Sequence, residues 1–70
     1  MREGTLIYDQ RQERMDIRFG LEEYYGGLHC GERLDVLVES EWKATRIEMD
    51  EDWYLVGLKN IDLLGLRARI

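Results

Sequence analysis

Proline is absent from this 70-residue chain, and cysteine and histidine occur once each. A lone Cys30 cannot close an internal disulfide, the device by which small secreted domains make up for a small core. No apolar run approaches the ~18 residues that cross a bilayer, and no charged segment leads into an apolar stretch. These absences predict an intracellular, cytoplasmic protein. With no proline, serine-rich tract or repeat there is no linker, and residues 1–70 read as one domain.

Basic residues are scarce as well. Ten lysines and arginines stand against fifteen acids, a net charge of −5. Leu21–Ser40 holds five acids and one arginine. Phosphate backbones are held by basic stripes, so this balance argues against a nucleic-acid partner. Arg67 and Arg69 are too few to reverse it. An acidic surface suits a basic partner instead.

What is present is short-range alternation. In Arg14–Phe19, Met15, Ile17 and Phe19 point one way while Arg14, Asp16 and Arg18 point the other, as in a half-buried strand. Leu34, Val36 and Val38 share a face, with Asp35 opposite. Leu66, Ala68 and Ile70 alternate with Arg67 and Arg69. Leu6 and Tyr8 are expected on one face of the first strand, with Thr5 and Ile7 on the other. The segments from Trp42 and from Trp53 are rich in β-branched and aromatic residues. Polar turns at Asp9–Arg14, Glu39–Glu41 and Asp50–Asp52 separate these runs. Lys59–Gly65 reads as a turn with room for one helical or 3₁₀ turn. Leu21–Tyr25 has the residues to begin a helix, but Gly26-Gly27 ends it after about one turn.

The runs are too close together for crossover connections, so the strands must be antiparallel. The expected fold is all-β, a small SH3-like barrel of five to six short strands, because curling the sheet hides its apolar face and its edges. A twisted antiparallel sheet carrying one short helix is the alternative.

No motif names a reaction. His29 and Cys30 could form a nucleophile and base, but neighbours on a strand point to opposite faces and there is no second histidine. A small apolar Cys30 buried at the start of a strand, with His29 half-exposed beside it, is the plainer expectation. Structural zinc takes four nitrogen or sulfur ligands, and the pair offers two. The acidic turn Glu48–Asp52 lacks the ligand spacing and glycine of a calcium loop. The glycines of Tyr24–Gly31 lead into no Lys-Ser/Thr and no long helix, so they are not a phosphate loop. No enzyme activity, metal or cofactor is expected.

The seven aromatic residues are the stronger lead. Phe19 and one of Trp42 and Trp53 are expected in the core. Tyr24 and Tyr25 fall on the long connection, which in an SH3-like barrel stands beside the hairpin carrying Trp42. Together with Glu22, Glu23 and Glu41 they would form an acidic, aromatic groove. Such a groove suits an extended peptide of basic or proline-rich character.

Five segments carry a resemblance covering nearly the whole chain: Gly4–Leu6, Asp16–Phe19, Tyr24–Glu32, Thr45–Met49 and Asp52–Leu55. The chain resembles a family of uncharacterised proteins of about this length from Gram-positive bacteria, known only as a domain of unknown function. Tyr24–Glu32 is the most specific part, and Met15 stands where such proteins often carry an aromatic residue. The resemblance implies a bacterial cytoplasmic accessory protein, often encoded near conjugative or phage-like mobile elements. It supplies no activity and no site residues.

The reading is therefore a non-enzymatic module that binds another protein, through Glu22, Glu23, Tyr24, Tyr25, His29 and Trp42. Self-association through an uncovered edge strand is a second form of the same expectation. The competing reading is a nucleic-acid accessory factor of a mobile element, in which Arg11, Arg14, Arg18, Arg67 and Arg69 gather on one face. Acidic mimicry of nucleic acid ranks below both, since a charge of −5 is low for it.

Overall fold

In the computed structural model, which describes Met1–Ile70, the alternating segments become six strands. They are β1 (Glu3–Asp9), β2 (Arg14–Arg18), β3 (Arg33–Val38), β4 (Glu41–Met49), β5 (Trp53–Leu55) and β6 (Arg67–Arg69). All pairings are antiparallel and the order across the sheet is β2-β1-β6-β3-β4-β5. The two outermost strands, β2 and β5, do not pair, so the sheet is open where a closed barrel was expected. No helix forms, which removes the helix-bearing alternative. Leu21–Tyr25 is extended and bent, with Tyr24 bridged to Arg18.

The apolar face does what alternation predicts. Leu6, Met15, Ile17, Leu34, Val36, Ile47, Leu55 and Ala68 are buried together, and Leu28 joins them from the long connection. Phe19, Val38, Trp53, Leu58, Leu63, Leu66 and Ile70 pack around this cluster. The folded surface is 4987 Å², somewhat more than the roughly 4,600 Å² usual for this mass. An unclosed sheet with long connections has that excess.

One inward and one outward placement fail. Tyr8 shares Leu6's face but is 43% exposed. It lies opposite Met15 near the tip of the β1–β2 hairpin; Met15 is covered by the core, which stops short of the neighbouring Tyr8 ring. Asp16, on the polar face of β2, is 2% exposed. Alternation reports which face a side chain leaves from, not what later covers that face.

Turn chemistry sets the registers. Asp9 Oδ1 accepts the N–H of Arg11 at 2.9 Å, and its Oδ2 accepts Gln12 Nε2 at 2.9 Å. The Gln12 side chain and then the Arg11 N–H hold the Asp9 carboxyl below its ordinary 3.8. The β3–β4 hairpin turns on Glu39 and Ser40, with φ of 50° and 67°. Two left-handed residues make the turn whose twist matches the flanking strands, though neither is the glycine or asparagine that takes it most cheaply. Gly4 solves a packing problem. A Cβ there would lie 2.3 Å from the Arg18 carbonyl oxygen and 2.8 Å from Ile17 Cγ2, so β1 can press against β2 only without a side chain.

β4 serves two partners in succession. Glu41–Arg46 pairs with β3, and Ile47–Met49 pairs with β5. β5 thus covers only the far part of its neighbour.

Candidate functional site

The long connection from Phe19 to Glu32 is tied down along its length. In β2 and just past its end, the backbone groups of Met15, Ile17 and Phe19 point away from β1. The connection answers them: Leu28 N–H donates to the Met15 carbonyl at 2.8 Å, Tyr25 N–H to Ile17 at 2.8 Å, and Phe19 N–H donates to Glu23 at 2.7 Å. Leu28 is carried into the core by the same contacts.

Asp16 organises the middle of this segment. Its Oδ1 accepts the N–H of Ile17 at 2.8 Å and those of Gly26 and Gly27 at 2.9 Å each. A buried carboxylate needs such donors, since burial without them is costly. Both glycines have positive φ, 113° and 105°. At Gly27 a Cβ would also come within 2.7 Å of Gln12 Oε1. The Gly-Gly pair is therefore the half of an anion-binding turn whose anion belongs to the protein itself.

Glu32 closes the far end. Its Oε1 accepts the Tyr25 hydroxyl, and its Oε2 accepts the His29 N–H at 2.6 Å. The hydrogen bond to Glu32, then burial, then the carboxylate's charge push the Tyr25 phenol above its ordinary value. Gly31 N–H donates to the Ile47 carbonyl at 2.8 Å and Ile47 N–H to Glu32 at 3.0 Å, joining the segment to β4.

The proposed residues divide under this geometry. Tyr24 and Tyr25 are consecutive on the pinned backbone, 48% and 40% exposed. Glu22 is exposed beside them. Glu23 Oε2 takes Arg2 Nη2 at 2.7 Å, and the Arg2 guanidinium lies 4.0 Å over the Phe19 ring. His29 is exposed, with its Nδ1 facing Arg14 Nη1, which also reaches the Leu28 carbonyl. Cys30 is exposed, not buried as expected. The turn Cys30-Gly31 stands outside the sheet, and Leu28 fills the place in the core. Trp42 is on β4, with three strands between it and β2 in the sheet order. Its ring is covered by the Arg69 guanidinium at 4.2 Å, and Arg69 Nε donates to Asp35 Oδ2 at 2.9 Å.

The arginines of the competing reading gather only in part. Register places Arg18, Thr5 and Arg67 in one cross-strand row, with Arg69 next to it. Each of the three arginines is engaged: Arg18 by the Gly20 and Leu21 carbonyls, Arg67 by Glu3, and Arg69 by Asp35. Arg14 turns to His29, and Arg11 lies in the hairpin tip. No three His, Cys, Asp or Glu side chains converge on a point.

The residue that sequence reasoning missed is Asp16. A signal existed: an aspartate inside a strand followed ten residues on by a Gly-Gly pair. Only the return of the chain along β2 brings the two together.

Fold and loop together define an all-β domain of one open six-stranded sheet whose long connection seals one edge around a buried carboxylate. The chain belongs to the family described as a domain of unknown function, DUF5348, whose model matches residues 4–70. A protein from Ruminococcus gnavus, with a crystal structure from a structural-genomics programme, is 61% identical. The match spans 99% of this chain and 100% of that one, with a TM-score of 0.92. No curated protein matches.

Proposed function

We propose that the domain is a non-enzymatic protein-interaction module that binds its partner through the Leu21–Gly31 connection. The observation that carries this reading is the exposure of Tyr24 and Tyr25 on a backbone pinned from both sides. A backbone held in place, with the Tyr25 ring anchored on Glu32, loses little freedom on binding, which is what a recognition surface needs. Glu22 beside them, and Glu23 and His29 at either end, give the surface its polar rim. The chemistry suits an extended partner with arginine, lysine or proline. Trp42 belongs to this surface only if the partner reaches across to β4. The non-enzymatic reading is supported by the sole histidine, whose Nδ1 is occupied by Arg14.

The same reading takes the sheet as an SH3-like half-barrel. Its support is the long connection after β2 and the passage of β4 from one pairing partner to the next. It also takes the protein as a cytoplasmic accessory factor of a mobile element. No helix is long and apolar enough to cross a membrane. The test is a nuclear magnetic resonance titration with arginine- and proline-rich peptides. Shifts are expected at Glu22–His29, with binding lost when Tyr24 and Tyr25 are both replaced by alanine. Binding unchanged in that double variant would overturn the reading.

A second reading, a nucleic-acid accessory factor, is favoured by the Arg18–Thr5–Arg67 row alone. It requires salt-dependent binding to single- or double-stranded DNA at low ionic strength, and fails if none is seen.

A further inference from the structure

The first half of β4 has a free side. Ile47 N–H donates to Glu32, toward β3. By alternation the backbone groups of Thr45, Lys43 and Glu41 also face β3, while those of Trp42, Ala44 and Arg46 face outward. The Arg46 carbonyl is answered by Val56 N–H at 3.1 Å. β5 pairs no further back than Ile47, so the N–H and C=O of Trp42 and Ala44 have no strand opposite them. Open edges are usually blunted by shortness, proline, bulges or covering loops. This one has no proline and no cover, and Ala44 is exposed.

Beside it lies a cleft of about 510 Å³, whose lining includes Ala44, Thr45, Leu34, Val56, Arg33 and Arg46. Arg33 and Arg46 face each other across the β3–β4 ladder. Like charges directly opposite are unfavourable. Arg46 is relieved by Glu48 at 2.9 Å, whereas Arg33 makes no ion pair or hydrogen bond through its side chain. The cleft is therefore floored by a small residue and walled by guanidinium groups, the setting that takes the face of an aromatic ring.

We propose that the occupant is a second copy of this chain, paired antiparallel through β4 about a two-fold axis at Lys43. In that register Trp42 of each copy lies opposite Ala44 of the other. Each such pair exchanges two N–H···O bonds, so all four open groups of both edges are answered. On pairing, the indole of each copy leaves its own Arg69, which lies 4.2 Å over the ring within the single chain, and enters the cleft beside Ala44 of the other copy, between Arg33 and Arg46. Lys43 meets its own image, but Glu41, already 3.1 Å from Lys43 within each copy, stands diagonally across the axis and offsets the like charges. Val56 blocks the Arg46 end, which stops the ladder after three residues, and the two-fold uses both edges at once. The assembly closes as a dimer and does not grow into a fibre.

Sedimentation equilibrium on the full chain tests this. An interface of so few residues is at the small end, so the dissociation constant is expected on the order of 100 µM. The mass should rise from 8.4 kDa toward twice that value between about 10 µM and about 1 mM. Over the same range the Trp42 and Ala44 amides should become slower to exchange with deuterium. Ala44→Lys fills the cleft and is expected to weaken the dimer at least ~10-fold. Arg33→Ala, which removes no hydrogen bond or ion pair within the fold, should weaken it by roughly 3- to 10-fold, and its amide spectrum shows whether the monomer is intact. Replacing Tyr24 and Tyr25 should leave the dimer unchanged, which separates it from binding at the long connection. A chain that stays monomeric throughout overturns the proposal. So does a dimer that survives both Ala44→Lys and Arg33→Ala, or an edge that takes up extended peptides while the chain remains monomeric.

Discussion

Beyond β2 the chain lays its own Gly20–Leu28 segment along the strand and answers the groups that point outward. Beyond the first half of β4 it leaves Trp42 and Ala44 facing water. Both are margins of one antiparallel sheet, and both present the same kind of backbone. The sealed margin needs a buried aspartate, two glycines at positive φ and a leucine carried into the core. The bare margin needs only that β5 stop at three residues. Covering an edge places demands on distant parts of the sequence, whereas leaving one open places almost none. An open edge that is also short, with a cleft beside it, is a place for another chain.

The contrast can be broken at the sealed side. Asp16→Ala leaves three inward-facing N–H groups without an acceptor, and a loss of about 3 kcal/mol or more is expected in urea unfolding. Asp16→Asn keeps an oxygen but not its charge and should lose less. Leu28→Ala removes a fully buried side chain from the covering segment, for a loss of about 3 kcal/mol. If Leu28→Ala instead costs only a few tenths, the segment is laid over the sheet without being part of its core. Gly27→Ala adds backbone strain and a clash with Gln12, and about 2 kcal/mol is expected, more than for Gly26→Ala, where a Cβ meets nothing.

On the other side, replacing Glu39-Ser40 by Asn-Gly should stabilise the β3–β4 hairpin by about 1 kcal/mol without altering the open edge, because it relieves two left-handed residues. The smallest effect concerns pH. The Tyr25 phenol titrates above its ordinary 10.0 because its neutral form donates to Glu32. That contact contributes fully below pH 10.0 and is lost as the pH rises through the higher folded value. Ultraviolet absorbance should show a late-titrating phenolate in the native protein, moved earlier by Glu32→Gln. A protein in which Glu32→Gln leaves all tyrosine titrations unchanged would show that Glu32 does not hold the segment.

Much of the fold was legible in the residues. Met15 and Ile17, Leu34 and Val36, and Ala68 lie inward as their spacing predicts, and the turns fall at Asp9–Arg14, Glu39–Glu41 and Asp50–Asp52. Cys30 went the other way because it stands in a turn outside the sheet, and Tyr8 because the core covers its cross-strand partner Met15 and stops there, limits that period-two reasoning does not carry. Of the residues grouped in the aromatic groove, Tyr24 and Tyr25 are both exposed on the long connection, and three strands lie between Trp42 and β2. Grouping them depended on a closed barrel, and the sheet is open.

The amino-acid order determined the strands, their facing and their antiparallel sense, because each depends on neighbours within a few residues and on connections too short for anything else. Only the tertiary structure decided that Asp16 would be buried, that Leu28 would join the core and that Trp42 and Ala44 would keep unanswered backbone groups. Those outcomes turn on which edges remain once the strands have been ordered and how far the last ones reach, and no local pattern carries that information.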